Sequence, residues 1–354
     1  TPSAILRAWW VHFLYRSPPG EDFREGPVTI RSAEVTMEPI IYLHHYPASP
    51  FSEKIRLMLG YLGVAWQSVE ISSIMPRPLL MPLTGGYRKT PTLQIGANIH
   101  CDTAAITAAL VRHTGNSSLY APGFAAQRVA EWADTTLFRV TVALNFRPEA
   151  IAGLMSQLSA EEVAAFQADR AKLVGDAPLL SLPPADAMAA LDSYLGQLDR
   201  SLTAPFVFGD APSIADFSIY HCLWFIDNPA NGQFIDPYPN VRDWLSRLAG
   251  FGHGSVSEAS AADALAHAKA SEPVLAGELA DVAPLRLPGV ALGDVVTVTP
   301  TDYGQIPVAG RLVAATAAEL VLERDDPDAG RLLTHFPSIG FSISLAQGAL
   351  REAE

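Results

Sequence analysis

Residues 42–59 read YLHHYPASPFSEKIRLML. A short apolar run, Ile40 to Leu43, ends at Pro47; Ser49 then precedes Pro50, and from there apolar residues recur at helical spacing (Ile55, Leu57, Met58, Leu59, Leu62). Proline suits the first helical turn, where its missing N–H has no partner to lose. Serine just before it is a preferred cap. The stretch therefore predicts a strand over 40–46 and a helix over 50–62, closed by Gly63 in the left-handed conformation. Glu53, Lys54 and Arg56 are expected to point outward. The start of such a helix has unpaired amides and about half a positive charge. It favours an anion, and a thiol held there loses its proton more readily.

Working outward, Val64 to Ile71 predicts a second strand, and 72–89, rich in Pro and Gly, one short irregular helix. Thr90 to Ile95 and Asn98 to Cys101 predict two strands joined by a tight turn at Gly96-Ala97, and 102–113 a helix capped by Asp102. The order β-α-β-α-β-β-α combines a parallel crossover with a hairpin, a thioredoxin-like layout. From about 123 to 250 the period becomes helical, with apolar faces over 124–145, 160–174 and 185–203. Ser213 and Asp216 form a capping box that opens another helix, and Tyr238-Pro239 opens one through Trp244 and Leu248. Strands followed by a run of helices point to an all-α second domain. After an Ala-, Ser- and Gly-rich stretch over 251–275, expected to be a polar helix and linker, the period switches to two. Short strands are predicted at 295–299, 308–314, 319–324 and 332–336, separated by Gly and Asp turns.

The 354 residues are 49% hydrophobic and 17% charged, enough to bury a large core. A net charge of −13 argues against a nucleic-acid surface and against docking on anionic lipid. No apolar run reaches the roughly 18 residues that span a bilayer. Two cysteines, Cys101 and Cys222, are too few for a disulfide framework and lack metal-ligand spacing; Cys101 reads as a small buried apolar residue. His44 and His45 are neighbours on a strand and so point to opposite faces, while His113, His221, His253, His267 and His335 are dispersed. No metal site is expected. Residues 1–36 combine four arginines, an aromatic patch and several acids, which does not suit a transit peptide; they are expected to lie outside the fold.

Four features, in this order and at these spacings, resemble the cytosolic glutathione transferase superfamily: the strand followed by Ser49-Pro50-Phe51-Ser52-Glu53-Lys54-Ile55-Arg56; Lys89-Thr90-Pro91-Thr92-Leu93 before a hairpin; Cys101-Asp102-Thr103-Ala104-Ala105-Ile106; and Ser213-Ile214-Ala215-Asp216 in the helical half. The resemblance covers about 39–250. It implies a thioredoxin-like glutathione-binding domain over 37–114 and an all-α substrate domain over 123–250. Residues 251–284 would be linker and helix, and 285–346 a small, mostly-β domain that the two-domain family does not require.

The resemblance also implies a site. Ser49 sits where the family keeps its catalytic serine or cysteine, and its hydroxyl would donate to the thiolate of bound glutathione, although serine at that point is also a plain helix cap. Ser52 sits where thioredoxin-like redox proteins keep their second cysteine; with serine at both positions, disulfide exchange by the protein's own thiols is not expected. Tyr46 is the rival thiolate partner. Thr90-Pro91 matches the family's cis-proline, whose backbone pairs with the cysteinyl main chain of glutathione; Thr90 departs from the usual small aliphatic residue. Asp102-Thr103 matches the pair that holds the γ-glutamyl end, and Lys89 faces the glycyl carboxylate or solvent. His44 and His45 are placed beside the same pocket, and Trp132, Phe138, Phe146, Tyr220, Trp224 and Phe225 are candidates to line a site for an electrophile. The implied protein is a cytoplasmic, homodimeric transferase with glutathione as co-substrate and no metal. A non-catalytic binding or regulatory protein on the same scaffold is one alternative. A glutathione-dependent isomerase or dehalogenase is another.

Overall fold

Among the described residues, ten strands form one sheet, in the spatial order 341–345, 295–300, 308–315, 319–326, 330–337, 98–101, 92–95, 41–45, 65–70 and 255–258. The structure, a computed structural model, describes residues 39–154, 159–175, 182–280 and 285–346; the extension expected over 1–36 lies outside the described residues. Strand β1 (Ile41–His45), helix α1 (Pro50–Leu62), β2 (Ala65–Glu70), α2 (Met81–Thr84), β3 (Thr92–Ile95), β4 (Asn98–Cys101) and α3 (Thr103–Thr114) follow the predicted order. β1 runs parallel to β2 and antiparallel to β3, and β3 and β4 close a hairpin across Gly96-Ala97. Ser49 caps α1, its Oγ accepting from Ser52 N at 3.2 Å, and Gly63 ends it at φ 67°.

The helical half contains α4 (Phe124–Trp132), α5 (Phe138–Asn145), α6 (Pro148–Leu154), α7 (Ala160–Val174), α8 (Pro184–Ser201), α9 (Ile214–Ile226) and α10 (Pro239–Ala249). The run predicted over 124–145 is not one regular helix: a π-helical turn, Ala133–Leu137, separates α4 from α5. Such a turn re-aims side chains and is frequent at functional sites. Asp216 organises the start of α9. Its carboxylate accepts from Ser213 N and Val207 N at 2.9 and 2.8 Å and from the indole of the fully buried Trp244 at 3.0 Å.

Residues 251–275, expected to be a polar helix and linker, hold a helix and also a strand that was not expected. Ser255–Glu258 forms β5, paired parallel to β2, before α11 (Ala261–Ala270) and α12 (Gly277–Ala280). An alternation of exposed residues gives a strand this short no period to read. What positions it is the approach of 251–254 to α1, where a Cβ on Gly60 would meet the Gly252 carbonyl oxygen at 2.1 Å. The strand-rich region comprises β6 (Val295–Pro300), β7 (Val308–Ala315), β8 (Glu319–Asp326), β9 (Gly330–Pro337) and β10 (Phe341–Leu345), the last not predicted. β6 to β9 meander antiparallel, β10 returns to pair antiparallel with β6, and β9 pairs parallel with β4. The edge of the thioredoxin-like sheet is therefore continued, not left open. One apolar core fills the space between β1, β3, α1, α3 and the helices; a second packs the strand-rich region against Leu80, Leu83, Tyr87 and Cys101.

Candidate active site

A cleft of about 670 Å³ opens where four parts of the chain meet: the start of α1 (Phe51, Lys54), the segment 87–91, the start of α3 (Asp102, Thr103), and α4 with its π-turn (Arg128, Glu131, Asp134). The strand-rich region adds Asp302, Tyr303 and residues 337–341. Lys89, Thr90, Pro91, Asp102 and Thr103 are thus brought together on one cleft, and the Thr90–Pro91 bond is cis.

Asp102 is the one non-glycine residue with positive φ among the described residues, at φ 81°. L-residues avoid this conformation, and such strain clusters where a ligand is held. Its Oδ1 accepts from Ala104 N at 3.0 Å and caps α3, and burial pushes its carboxyl above the ordinary value. Beside it, Thr103 Oγ1 accepts from Lys54 Nζ at 3.0 Å, which leaves the threonine hydroxyl hydrogen free to donate.

The expectation that Glu53, Lys54 and Arg56 point outward fails for all three, which are 5, 0 and 6% exposed. Lys54 Nζ donates to Asp134 Oδ2 at 2.7 Å, and His221 Nε2 donates to Asp134 Oδ1 at 2.9 Å. Burial by itself would raise the Asp134 carboxyl, but Lys54 and His221 hold it below its usual value. The His221 imidazole is lowered by burial, against the pull of Asp134. Arg56 pairs with Glu53 at 2.7 Å and donates to His45 Nδ1 at 2.9 Å and to the Pro47 carbonyl at 2.9 Å. The sequence did hold a signal: Phe51, Lys54, Ile55, Met58 and Leu62 form one i, i+3/i+4 stripe, so Lys54 lies on the apolar face of α1. A lysine in that stripe needs a buried partner, and only the tertiary fold identifies it as Asp134.

Ser49, Ser52 and Tyr46 do not line the cleft. Ser49 is 2% exposed; its oxygen is used in capping, and its hydroxyl hydrogen has no acceptor among the described residues. Ser52 is fully buried with an unpartnered Oγ. Tyr46 is half-buried, with the Arg77 guanidinium 6.0 Å from its ring centre. His44 and His45 also lie off the cleft: His44 Nε2 donates to Gln94 Oε1 at 2.9 Å and His45 Nε2 to Ser68 Oγ at 2.8 Å. Lys89 is neither free nor solvated, since its Nζ sits 2.5 Å from Asp302 Oδ1 and 4.2 Å from the Tyr303 ring centre. Of the aromatic residues named in the helical half, none lines the cleft; Phe138 and Tyr220 are core, and Trp132 packs edge-on against Tyr194. Tyr87, Tyr120 and Tyr303 supply aromatic wall instead, together with Phe51 and Phe341. Cys101 is fully buried as expected, and burial pushes its thiol up.

Residues 43–118 match the family model for the glutathione S-transferase N-terminal domain, and residues 164–247 that for the C-terminal domain. A crystal structure of a GST-like protein from Pseudomonas syringae is 39% identical, covers 88% of this chain and 100% of its own, and superposes with a TM-score of 0.73. The chain belongs to the glutathione S-transferase superfamily. Two more distant members are similar over 59% of the chain: a glutathione S-transferase from Rhodospirillum rubrum F11 (16% identity, 88% of its own chain, TM-score 0.45) and glutathione transferase F2 from Populus trichocarpa (15% identity, 93%, TM-score 0.45). No curated protein matches the chain in sequence. As a member of this superfamily it joins a thioredoxin-like region to a helical one, and after the helices it carries the strand-rich region β6–β10. Among the described residues, no helix is long and apolar enough to cross a membrane.

Proposed function

We propose that the chain binds glutathione in the 670 Å³ cleft and uses its thiol to attack an electrophilic small molecule. The observation that carries this reading is the conjunction of Asp102, strained at φ 81°, with Thr103 and the buried Lys54 on the cleft floor. Asp102 supplies a carboxylate for the γ-glutamyl ammonium. The Thr103 hydroxyl, the first amides of α3 and the nearby Lys54 charge suit the adjacent α-carboxylate. Thr90 and Pro91 border the tripeptide backbone, and Lys89 exchanges Asp302 for the glycyl carboxylate. The sulfur then falls toward the amino end of α1. There the Ser49 hydroxyl, spent as an acceptor but not as a donor, hydrogen-bonds the thiolate. Glutathione supplies the nucleophile; the protein lowers its pKa and places it beside the electrophile. A homodimer in a reducing cytoplasm belongs to the same proposal, and two buried free thiols suit such a compartment.

Calorimetry with glutathione, paired with a thiol-conjugation assay, tests the reading. Binding at about millimolar affinity or tighter with turnover is expected; a cleft indifferent to the tripeptide sinks it. One feature favours a second reading, a glutathione-binding protein without turnover: Ser49 is 2% exposed and does not line the cleft. Retention of glutathione with no conjugation would select it.

A further inference from the structure

Away from the cleft, the seam between β4 and β9 gathers three ligand-type side chains. His100 and His335 are register partners in that parallel pairing, so both rings leave the same face, 4.2 Å apart between centres. Glu319 joins them from β8. Val321 stands opposite His335, and Glu319, two residues earlier, shares its side of the sheet. Glu319 Oε2 lies 3.1 Å from His335 Nδ1, and the ligand atoms of the three residues lie within 4.8 Å of one another. His100, Glu319 and His335 are 4, 0 and 2% exposed. The two histidines also line a second cavity, of about 240 Å³, with Asn98, Arg112 and His113. Dispersed in sequence, these histidines gave no sign of a cluster; strand pairing creates it.

Two details set this group apart from an ordinary buried hydrogen-bonded pair. Both ring nitrogens of His335 face oxygens, Nδ1 toward Glu319 and Nε2 toward Asn98 Oδ1 at 3.4 Å, whereas a neutral imidazole carries one N–H. His100 Nδ1 is buried with no hydrogen-bond partner, a vacancy that native interiors rarely leave unexplained. A cation among the three removes the first conflict, because Nε2–H then donates to Asn98 and Nδ1 offers its lone pair to the ion. It also gives the unpartnered imidazole a role. Outer partners that fix a ligand's tautomer in this way are characteristic of metal sites.

We propose that His100, Glu319 and His335 form a site for a divalent transition-metal ion of the Zn²⁺ class. Two imidazoles and a carboxylate select such ions over Mg²⁺ or Ca²⁺, and a fourth position faces the second cavity, as in open three-ligand zinc sites. Arg112 engages both Glu319 oxygens, which orients the carboxylate and offsets part of its charge. The ion is therefore exchangeable, and its occupancy pins the strand-rich region to the thioredoxin-like sheet.

The test uses untagged full-length protein, stripped with a chelator and titrated with Co²⁺ and Zn²⁺. One ion per chain is expected, with the visible absorption of four-coordinate Co²⁺, its displacement by Zn²⁺, and a Zn²⁺-dependent rise in Tm. His100→Gln and Glu319→Gln weaken binding at least about tenfold, the scale of perturbing a metal shell; His267→Gln, outside the group, leaves it unchanged. Imidazole-nitrogen NMR of the parent reads the ligands directly even where a variant fails to fold, and two ring signals move on adding Zn²⁺. A parent protein that takes up no ion at micromolar concentration overturns the proposal, as does unaltered affinity in folded His100→Gln.

Discussion

Lys54 Nζ lies 2.7 Å from Asp134 Oδ2, joining the first helix of the thioredoxin-like region to the π-turn of the helical region. The lysine side chain is wholly buried, while the aspartate keeps 22% of its side chain exposed to the cleft. A buried charge that loses its partner is far costlier than the intact pair is favourable. Asp134→Ala is therefore expected to destabilise the protein by about 3 kcal/mol, whereas Lys54→Met combined with Asp134→Asn costs much less. Denaturant melts of the two variants decide this; equal losses would mean that the pair is not the source of the cost.

Ser49→Ala removes both a helix cap and the proposed thiolate donor. The cap loss is worth about 1 kcal/mol of stability, and loss of one positioned donor about 10²-fold in conjugation rate. Steady-state kinetics with a chromogenic electrophile separate the two effects. Unchanged rates in a folded Ser49→Ala protein would shift the thiolate role to Tyr46.

Asp102→Gly should decouple stability from binding. Glycine adopts φ 81° without penalty, and as a cap it is only a few tenths of a kcal/mol poorer than aspartate. Thermal stability is thus expected to hold or rise, while glutathione affinity falls at least about tenfold as the charge-assisted contact is lost. Lower stability together with intact affinity would show that the strained backbone serves the fold and not the ligand.

Acid sensitivity has one of its sources in β1, alongside the buried His100, His221 and His335, whose imidazoles burial also lowers. Burial lowers the His44 imidazole from 6.5 to about 4, and burial with the Arg56 guanidinium does the same to His45. A histidine held below its unfolded value binds a proton more tightly when unfolded, so stability is full above about pH 6.5 and declines as pH falls toward 4. Each such histidine contributes a slope of up to about 1.4 kcal/mol per pH unit in that window. Tm measured from pH 7 to 5 should fall, and His44→Gln should flatten the decline; an identical slope in the variant would clear His44 of the effect.

The order of elements was legible because each depends on neighbours in sequence. Pro50 and Ser49 begin α1, Gly63 ends it, Gly96-Ala97 turns the hairpin, and Ser213 with Asp216 starts α9. The candidate residues Thr90, Pro91, Asp102 and Thr103 were legible only through the family resemblance, whose short motifs stand at strand and helix ends. Pairings between distant segments were not legible. Nothing local to Lys54 names Asp134, nothing near His100 names His335, and the alternation that predicted β6 to β9 does not say that β9 will extend β4. Short-range rules of capping, turn formation and periodicity write themselves into contiguous residues. Which buried charge meets which, and which strand edge is covered, is settled by desolvation and hydrogen-bond satisfaction across the assembled core, where the partners lie tens to hundreds of residues apart.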